Sequence, residues 1–416
     1  MDFDVGTTTL VLHLIDMNTG AVIDTVTGYN GQAYYGEDIL TRIQLAEQNR
    51  HLKTLHEELI ASLNALIKRL AQNNNLEKDN LTAVSVAGNT VMIHFLLGVD
   101  PSSLSQTPHV PVINAPGYME AQDIGLDINP QGIVYCLPNV GSYVGGDVIA
   151  GIIVSELHNN VEASLLVDIG TNGEIVIGNQ DWIVACAGAA GPALEGDVVE
   201  AGMRATAGAV SNVVIDGKTK IVNYKTINDT KPEGICGSGL IDCVAELLLK
   251  GIIDRKGNFK EHTSHFTIVP AQETSIGKDI IITQKDIKSL IRTKGAVNTA
   301  MEVLLESIGC SLQEVTYFFA SGAFGNYIDP ESAVTIGLFP DIPRDKIFRI
   351  GNSSLEGARL ALVSQDKREE AARVAEKITY FELNASQAFM NKFNSGQFLP
   401  HTNLDAYPTV KAKLEQ

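Results

Sequence analysis

The stretch Leu165-Leu-Val-Asp168-Ile-Gly170-Thr171-Asn172-Gly173-Glu174-Ile-Val-Ile177 decides how the rest of the chain is read. Two apolar runs flank a turn made of Asp168, Gly170, Thr171, Asn172 and Gly173, the pattern of a β-hairpin whose tip contacts an anion. Glycine has no Cβ, so its amide approaches a phosphate closely, while threonine hydroxyls and successive N–H groups supply donors. A carboxylate cannot face a phosphate directly; Asp168 suits a Mg2+ ion, which takes carboxylate and phosphate oxygens together. The design recurs at Asp4-Val-Gly6-Thr7-Thr8-Thr9, ahead of the apolar run Leu10 to Ile15. One such tetrapeptide reads as an ordinary surface turn. Two of them, one opening each half, predict duplicated domains that grip one nucleotide from two sides.

Length and composition agree with that division. A chain of 416 residues exceeds one typical core and suits two domains. Hydrophobic residues make up 44% and charged residues 19%, the profile of a soluble globular enzyme. A net charge of −18, with no compensating basic patch, argues against nucleic acid and anionic membrane surfaces as partners. No apolar run approaches the ~20 residues of a membrane span and no signal segment opens the chain, so a cytoplasmic location is expected. Cys136, Cys186, Cys236, Cys243 and Cys310 are an odd set without iron–sulfur or zinc spacing, and are read as buried thiols in a reducing compartment. Only Met1, Asp2 and Phe3 precede Asp4 in its strand, short of the ~5 residues of a typical strand. The chain is therefore read as the C-terminal piece of a longer one.

Along the chain, Gly20 to Gly36 reads as strands and a turn, and Ile39 to Leu70 as long helix with Leu52, Leu55, Leu59, Leu63, Leu66 and Leu70 on its apolar face. His51 and His56 are read as solvated. Leu81 to Ala87 is a strand leading into Gly88-Asn89-Thr90, which serves equally as a helix cap or a ligand contact. Pro101 to Pro130, with its prolines and glycines, reads as irregular, and Asp147 to Leu157 as a helix whose Ala150 and Gly151 permit a close crossing. In the second half, Cys186 to Gly196 reads as a loop, and Gly234-Ile-Cys-Gly237-Ser238-Gly239 begins a helix without the lysine of a P-loop. Ile287 to Ile308 is helical, Val315 to Ala320 a strand ending in Ser321-Gly322-Ala323-Phe324-Gly325-Asn326, and Ser354 to Leu362 a short helix of small residues.

Asp4-x-Gly-Thr, the helix at Asp147 to Gly151, Asp168-x-Gly-Thr, Ser321 to Asn326 and Leu355-Glu-Gly-Ala-Arg359 stand in the order phosphate-1, connect-1, phosphate-2, adenosine, connect-2. That order resembles the acetate and sugar kinase, heat-shock chaperone and actin superfamily of ATPases. Within it, Ala87-Gly-Asn-Thr90, Asp168 to Glu174, Gly234 to Asp242, Gly322 to Asp329 and Phe398-Leu-Pro-His401 are similar to the reductive activators of corrinoid proteins. The resemblance implies an α/β fold of two duplicated ribonuclease-H-like (actin-like ATPase) domains around a nucleotide cleft. Residues 1–164 would form the first domain, 165–378 the second, and 379–416 a C-terminal extension packing on the core. It also implies ATP-driven reduction of inactive Co(II) cobalamin to Co(I) on a corrinoid protein, corrinoid iron–sulfur protein or methyltransferase. Family members carry an N-terminal ferredoxin-like domain with a two-iron, two-sulfur cluster, through which the electron donor acts. This chain shows no such domain, so it resembles the ATPase module alone, and a homodimer is among the assemblies the resemblance allows.

The resemblance assigns roles to residues. Asp4 and Asp168 would face each other across the cleft and hold Mg2+ through waters. Gly6, Thr7, Thr8, Thr9, Gly170, Thr171, Asn172 and Gly173 would bind phosphates, with Asn89, Thr90, Gly237 and Ser238 also contacting nucleotide. Gly322, Ala323, Phe324, Gly325 and Asn326 would pass beneath the adenosine. Asp147 would orient the attacking water, its alternative being a helix N-cap. A small-molecule phosphotransferase of the same fold and a non-enzymatic nucleotide sensor are the competing readings.

Overall fold

The computed structural model describes residues 1–47, 51–170, 173–188, 199–322, 327–383 and 386–415. The chain divides into two compact units that are not consecutive in sequence. The first comprises Met1–Val161, Gly178–Ala185 and Asn352–Tyr380; the second comprises Glu162–Ile177, Cys186–Gly351 and Phe381–Gln416.

The first unit is built on β1 (Asp2–Val5), β2 (Thr9–Ile15), β3 (Val22–Tyr29), β4 (Ala83–Gly88), β5 (Gly117–Glu120) and β6 (Ile133–Cys136). They form one sheet in the order β3-β2-β1-β4-β6-β5. β1 and β2 make the antiparallel hairpin expected from Asp4-x-Gly-Thr, and β1 runs parallel to β4 with Val5 opposite Gly88. Helices α1 (Ile39–Glu47) and α2 (His51–Asn73) occupy the stretch expected to be helical, and residues 48–50 between them lie outside the described residues. Leu55, Leu59, Leu63, Leu66 and Leu70 of α2 are buried in a core that includes Phe3, Leu10, Leu12 and Val86. His56, read as solvated, instead donates Nδ1 to the Phe95 carbonyl at 2.9 Å. Short helices α3 (Thr90–Leu96) and α4 (Ser102–Ser105) follow. The region 101–130 is more ordered than its prolines suggested: β5 pairs antiparallel with β6 along Gly117–Glu120. Its prolines all lie outside the edge strand, where no ladder N–H is needed.

Helix α5 (Gly146–Ser155) carries the small residues noted in the sequence. Their partner, in chain order beyond the second unit's helices α6 (Gly237–Leu249), α7 (Gln284–Ser307) and α8 (Pro330–Ile336), is α9 (Ser353–Val363). A Cβ placed on Gly357 of α9 would lie 2.6 Å from the Ala150 Cα and 2.9 Å from its carbonyl oxygen, so the two backbones meet with no room for a side chain. Helix α10 (Gln365–Lys377) then rests on α5, where His158 meets Glu370 at 2.6 Å.

The second unit repeats the plan. Strands β7 (Ser164–Ile169), β8 (Gly173–Gly178) and β9 (Ile183–Gly188) are joined by β15 (Tyr317–Ser321) and β16 (Ile347–Gly351) in the order β16-β15-β7-β8-β9. β15 is parallel to both β7 and β16. This matches the β6-β4-β1-β2-β3 order of the first unit, strand for strand. Ile183–Ala185, which group with the first unit, pair there in parallel with β17 (Ile378–Tyr380). A small sheet of β10 (Ala209–Ile215), β11 (Val222–Thr226) and β12 (Gly234–Ile235), and a hairpin of β13 (His265–Val269) and β14 (Ile280–Thr283), complete the strands. The chain ends in α11 (Gln387–Gly396) and α12 (Pro408–Leu414). Between them, the carbonyls of 398–402 are held by buried Lys294, whose Nζ donates to Phe398 (2.6 Å) and Pro400, and by Arg255, which reaches Leu399, His401 and Thr402. Burial drives the Lys294 amine well below its ordinary range. The loop expected at Cys186 to Gly196 begins as β9, and its remainder, 189–196, lies outside the described residues.

The α5–α9 crossing sets a first prediction. Gly357→Val inserts a side chain against backbone atoms that cannot rotate away, so the chain should lose about 1–3 kcal/mol of stability, read as a lower denaturation midpoint. An unchanged midpoint would show that the two helices are free to separate.

Candidate functional site

Site residues of the first unit gather where the parallel strands β1 and β4 end. At the β1–β2 turn the Gly6 amide donates to the Thr9 carbonyl at 3.1 Å, and a Cβ on Gly6 would stand 2.5 Å from that same oxygen. The turn is held from behind by Asn30, whose Nδ2 donates to the Gly6 carbonyl (3.1 Å) and whose amide donates to the Thr8 carbonyl (2.9 Å). Behind Asn30 lie Gln32 and Arg42, both fully buried. The Arg42 guanidinium donates to the Gly36 carbonyl (2.8 Å) and to Gln32 Oε1 (3.2 Å), and desolvation lowers it to about 10. It stays cationic at neutral pH and puts a positive charge behind the turn.

Asn89 takes the helix-cap role its sequence position allowed and also reaches the β1–β2 turn. Its Oδ1 accepts the Met92 amide at 3.0 Å as the N-cap of α3, and its Nδ2 donates to Thr7 Oγ1 at 3.1 Å. Thr90 turns its hydroxyl to the Gly141 carbonyl (2.9 Å). The start of α5 presses on the same turn: a Cβ on Gly145 would stand 2.5 Å from the Asn89 Cα. Gly145 is the N-cap of α5 and offers no side chain, so Asp147, one residue inside the helix, does not fill that position. Its Oδ1 accepts the Val148 amide at 2.8 Å.

Asp4, at the end of β1, is half-buried, and each carboxylate oxygen has a donor: Asn352 Nδ2 at 2.7 Å and Ser354 Oγ at 2.8 Å. Desolvation still outweighs these donors and holds Asp4 above the usual carboxylate range. Asp147 is raised by desolvation and further by the nearby Asp4 charge. Each Asp4 oxygen has a single donor and keeps lone-pair capacity, a geometry that fits a hard cation or its waters.

In the second unit Asp168, next to last in β7, lies opposite Ser321 of β15, whose hydroxyl donates to it at 3.3 Å. Gly322 takes φ of 122° and packs directly on the Ile169 carbonyl, a conformation and a contact that exclude other residues. Gly170 follows β7 and Gly173 opens β8; Thr171, Asn172, Ala323, Phe324, Gly325 and Asn326 lie outside the described residues. Glu174 is buried in β8, where its charge adds to desolvation in raising the Cys186 thiol. Gly237 begins α6, and Ser238 Oγ donates to the Ser211 carbonyl at 3.0 Å. Gly239 lies against the Val210 carbonyl, so this glycine-rich start lets α6 pack on β10.

The structure thus brings Asp4, Thr7, Asn89 and Asp147 together in one unit, and Asp168 and Gly322 together in the other. Sequence reading missed Asn30, Arg42, Asn352 and Ser354. Only Asn352 carried a usable signal, as a residue able to cap the helix that follows it.

Two units of matching strand order, each with an Asp next to last in its first strand, define the ATPase-type fold shared by actin, heat-shock chaperones and sugar kinases. The family model described as the C-terminal domain of RACo, the ASKHA domain, matches residues 162–411, and that of the RACo middle region matches residues 1–160. The chain belongs to this family of reductive activators. It is 33% identical to the corrinoid activation enzyme RamQ of Eubacterium limosum over 94% of this chain and 68% of that protein. It is 25% identical to the [Co(II) methylated amine-specific corrinoid protein] reductase of Methanosarcina barkeri over 93% of this chain and 74% of the relative. A solved reductive activator for corrinoid, iron–sulfur protein superposes with a TM-score of 0.93 at 40% identity, covering 98% of this chain and 67% of that one.

A stability prediction follows from the raised carboxylates. A group whose folded pKa exceeds its unfolded value destabilises the native state above that folded pKa, and the cost disappears as pH falls below the unfolded value. Asp147→Asn should therefore raise the thermal midpoint at pH 7.5 in metal-free buffer, by roughly 2–4 °C per kcal/mol relieved. The gain should shrink toward pH 4. A lowered midpoint would instead mark Asp147 as a structural residue of the helix start.

Proposed function

We propose that this chain binds Mg2+·ATP and hydrolyses it as the ATPase module of an activating enzyme. That enzyme would drive the one-electron reduction of inactive Co(II) cobalamin to Co(I) on a corrinoid protein or methyltransferase. The observation that carries the reading is the convergence of Asp4, Thr7, Asn89 and Asp147 at the carboxyl ends of β1 and β4, in a chain of the reductive-activator family. The names of the relatives, a corrinoid activation enzyme and a corrinoid-protein reductase, support the choice of substrate.

Asp4 and Asp168 are the carboxylates assigned to Mg2+, which when bound neutralises phosphate charge. The turn at Gly6, with the amides of Thr8 and Thr9 and the Thr7 hydroxyl held by Asn89, serves phosphate oxygens, as do Gly170, Thr171, Asn172 and Gly173 in the second unit. Asp147 orients water and accepts its proton; a carboxylate made more basic by burial is suited to that task. Gly322 to Asn326 carry the adenosine, with Gly237 and Ser238 near it. Electrons come from a two-iron, two-sulfur carrier on a ferredoxin-like domain outside these 416 residues. Within the chain, Cys136, Cys186, Cys236 and Cys243 are buried free thiols, which fits a cytoplasmic, reducing setting. Among the described residues no helix is long and apolar enough to cross a membrane. Nucleotide turnover does work on the redox step only to the extent that its states bind the corrinoid partner with different affinities.

The deciding measurement is ATP turnover with and without a corrinoid protein loaded with Co(II) cobalamin. Slow basal turnover, stimulated by the partner, is expected. Asp168→Ala should abolish it, and Asp147→Asn should lower kcat by roughly 10²-fold or more with little change in ADP affinity. No turnover under either condition would sink the reading.

A further inference from the structure

We propose that Asn352 and Ser354 are positioning residues for the nucleotide-bound Mg2+, acting through Asp4. The inference rests on the ATPase reading above and deepens it. These residues lie 348 and 350 positions from Asp4 in sequence, yet they supply the donors to its two oxygens.

The Asn352 side chain is used at both ends: its Nδ2 donates to Asp4 Oδ2 at 2.7 Å while its Oδ1 accepts the Leu355 amide at 3.0 Å, capping α9. An amide engaged on both atoms has one orientation, because rotating it to release Asp4 also uncaps the helix. Ser354, almost fully buried, completes the hold from the first turn of α9. The helix cannot follow a drifting carboxylate. It is pinned midway against Ala150 at Gly357, and Arg359 fastens it by donating to the Gly20 carbonyl at 2.7 Å while bridging Glu356. A carboxylate oxygen accepts more than one hydrogen bond, so each oxygen that receives one donor here keeps lone-pair capacity for an ion or its waters. The arrangement selects one carboxylate orientation in advance of metal binding, which is how a supporting shell sharpens a site.

The test separates positioning from packing. Asn352→Ser retains a capping oxygen and is too short to reach Asp4; Ser354→Ala removes the hydroxyl; Ser354→Thr keeps it. ADP binding is titrated by calorimetry with and without Mg2+, alongside kcat, KM for Mg2+·ATP and the thermal midpoint. Asn352→Ser and Ser354→Ala should each weaken Mg2+·ADP about tenfold, the scale of one hydrogen bond to a charged group, with metal-free ADP affinity close to wild type. Ser354→Thr should restore it. If wild type binds ADP more tightly with Mg2+ and both variants keep that ratio, the positioning role is overturned and the ATPase reading stands. Equal losses with and without Mg2+, together with a lowered midpoint, would make these packing residues and overturn it as well. A wild-type chain that binds no nucleotide would overturn the ATPase reading and this proposal together.

Discussion

The contact between Gly357 and Ala150 is the constraint on which the first unit's chemistry depends. Helix α5 delivers Asp147 at its first turn, and α9 delivers Asn352 and Ser354 at its own. Because the two backbones touch at the crossing, the start of one helix cannot shift without displacing the start of the other. Asp4 closes the ring, receiving its donors from α9 while its charge acts on Asp147. A side chain at the crossing would disturb the proposed site as well as stability, since it lies three residues from Asp147 on one helix and three from Ser354 on the other.

That ring holds charge at a cost. Asp4 and Asp147 are both raised by burial, Asp147 additionally by Asp4, and Arg42 is lowered by burial behind the Gly6 turn. Shifted groups gathered at one turn mark a candidate functional site. The signs fit the proposed roles: Asp4 is the carboxylate proposed for the cation, and the Arg42 guanidinium lies behind the turn proposed for phosphate.

What the sequence revealed, and what it hid, follows the range of the interactions. The Asp4 hairpin was legible because a glycine turn flanked by apolar runs is local chemistry, and the small residues of α5 announced a close crossing without naming its partner. That partner is about 200 positions away, reached only after the chain has built its second unit. The donors to Asp4 were equally invisible, as was the Asn30–Gln32–Arg42 support, whose members are common polar residues that acquire a role only by burial. Strand β5 went unread because prolines before it masked a short edge strand with one partner. Asn89 was left open between cap and ligand contact; the structure shows the cap, and the bond of its Nδ2 to Thr7 was hidden because Thr7 is 82 positions away.

The path of the chain adds a last consideration. It passes from one unit to the other after Val161, Ile177, Ala185, Gly351 and Tyr380. The fourth passage leads straight from Gly351, the final residue of β16 with φ of 64°, into Asn352. Gly351 also accepts the Gly322 amide at 2.9 Å, so the residue beside the assigned adenosine turn is bonded to the residue that precedes the Asp4 donor. Gly322 is thus linked to Asn352, the residue that seats Asp4, through one hydrogen bond and one peptide bond. A rotation of the Asn352 amide would release one oxygen of Asp4 and uncap α9 in the same event, so the first residue after that passage is held in one orientation.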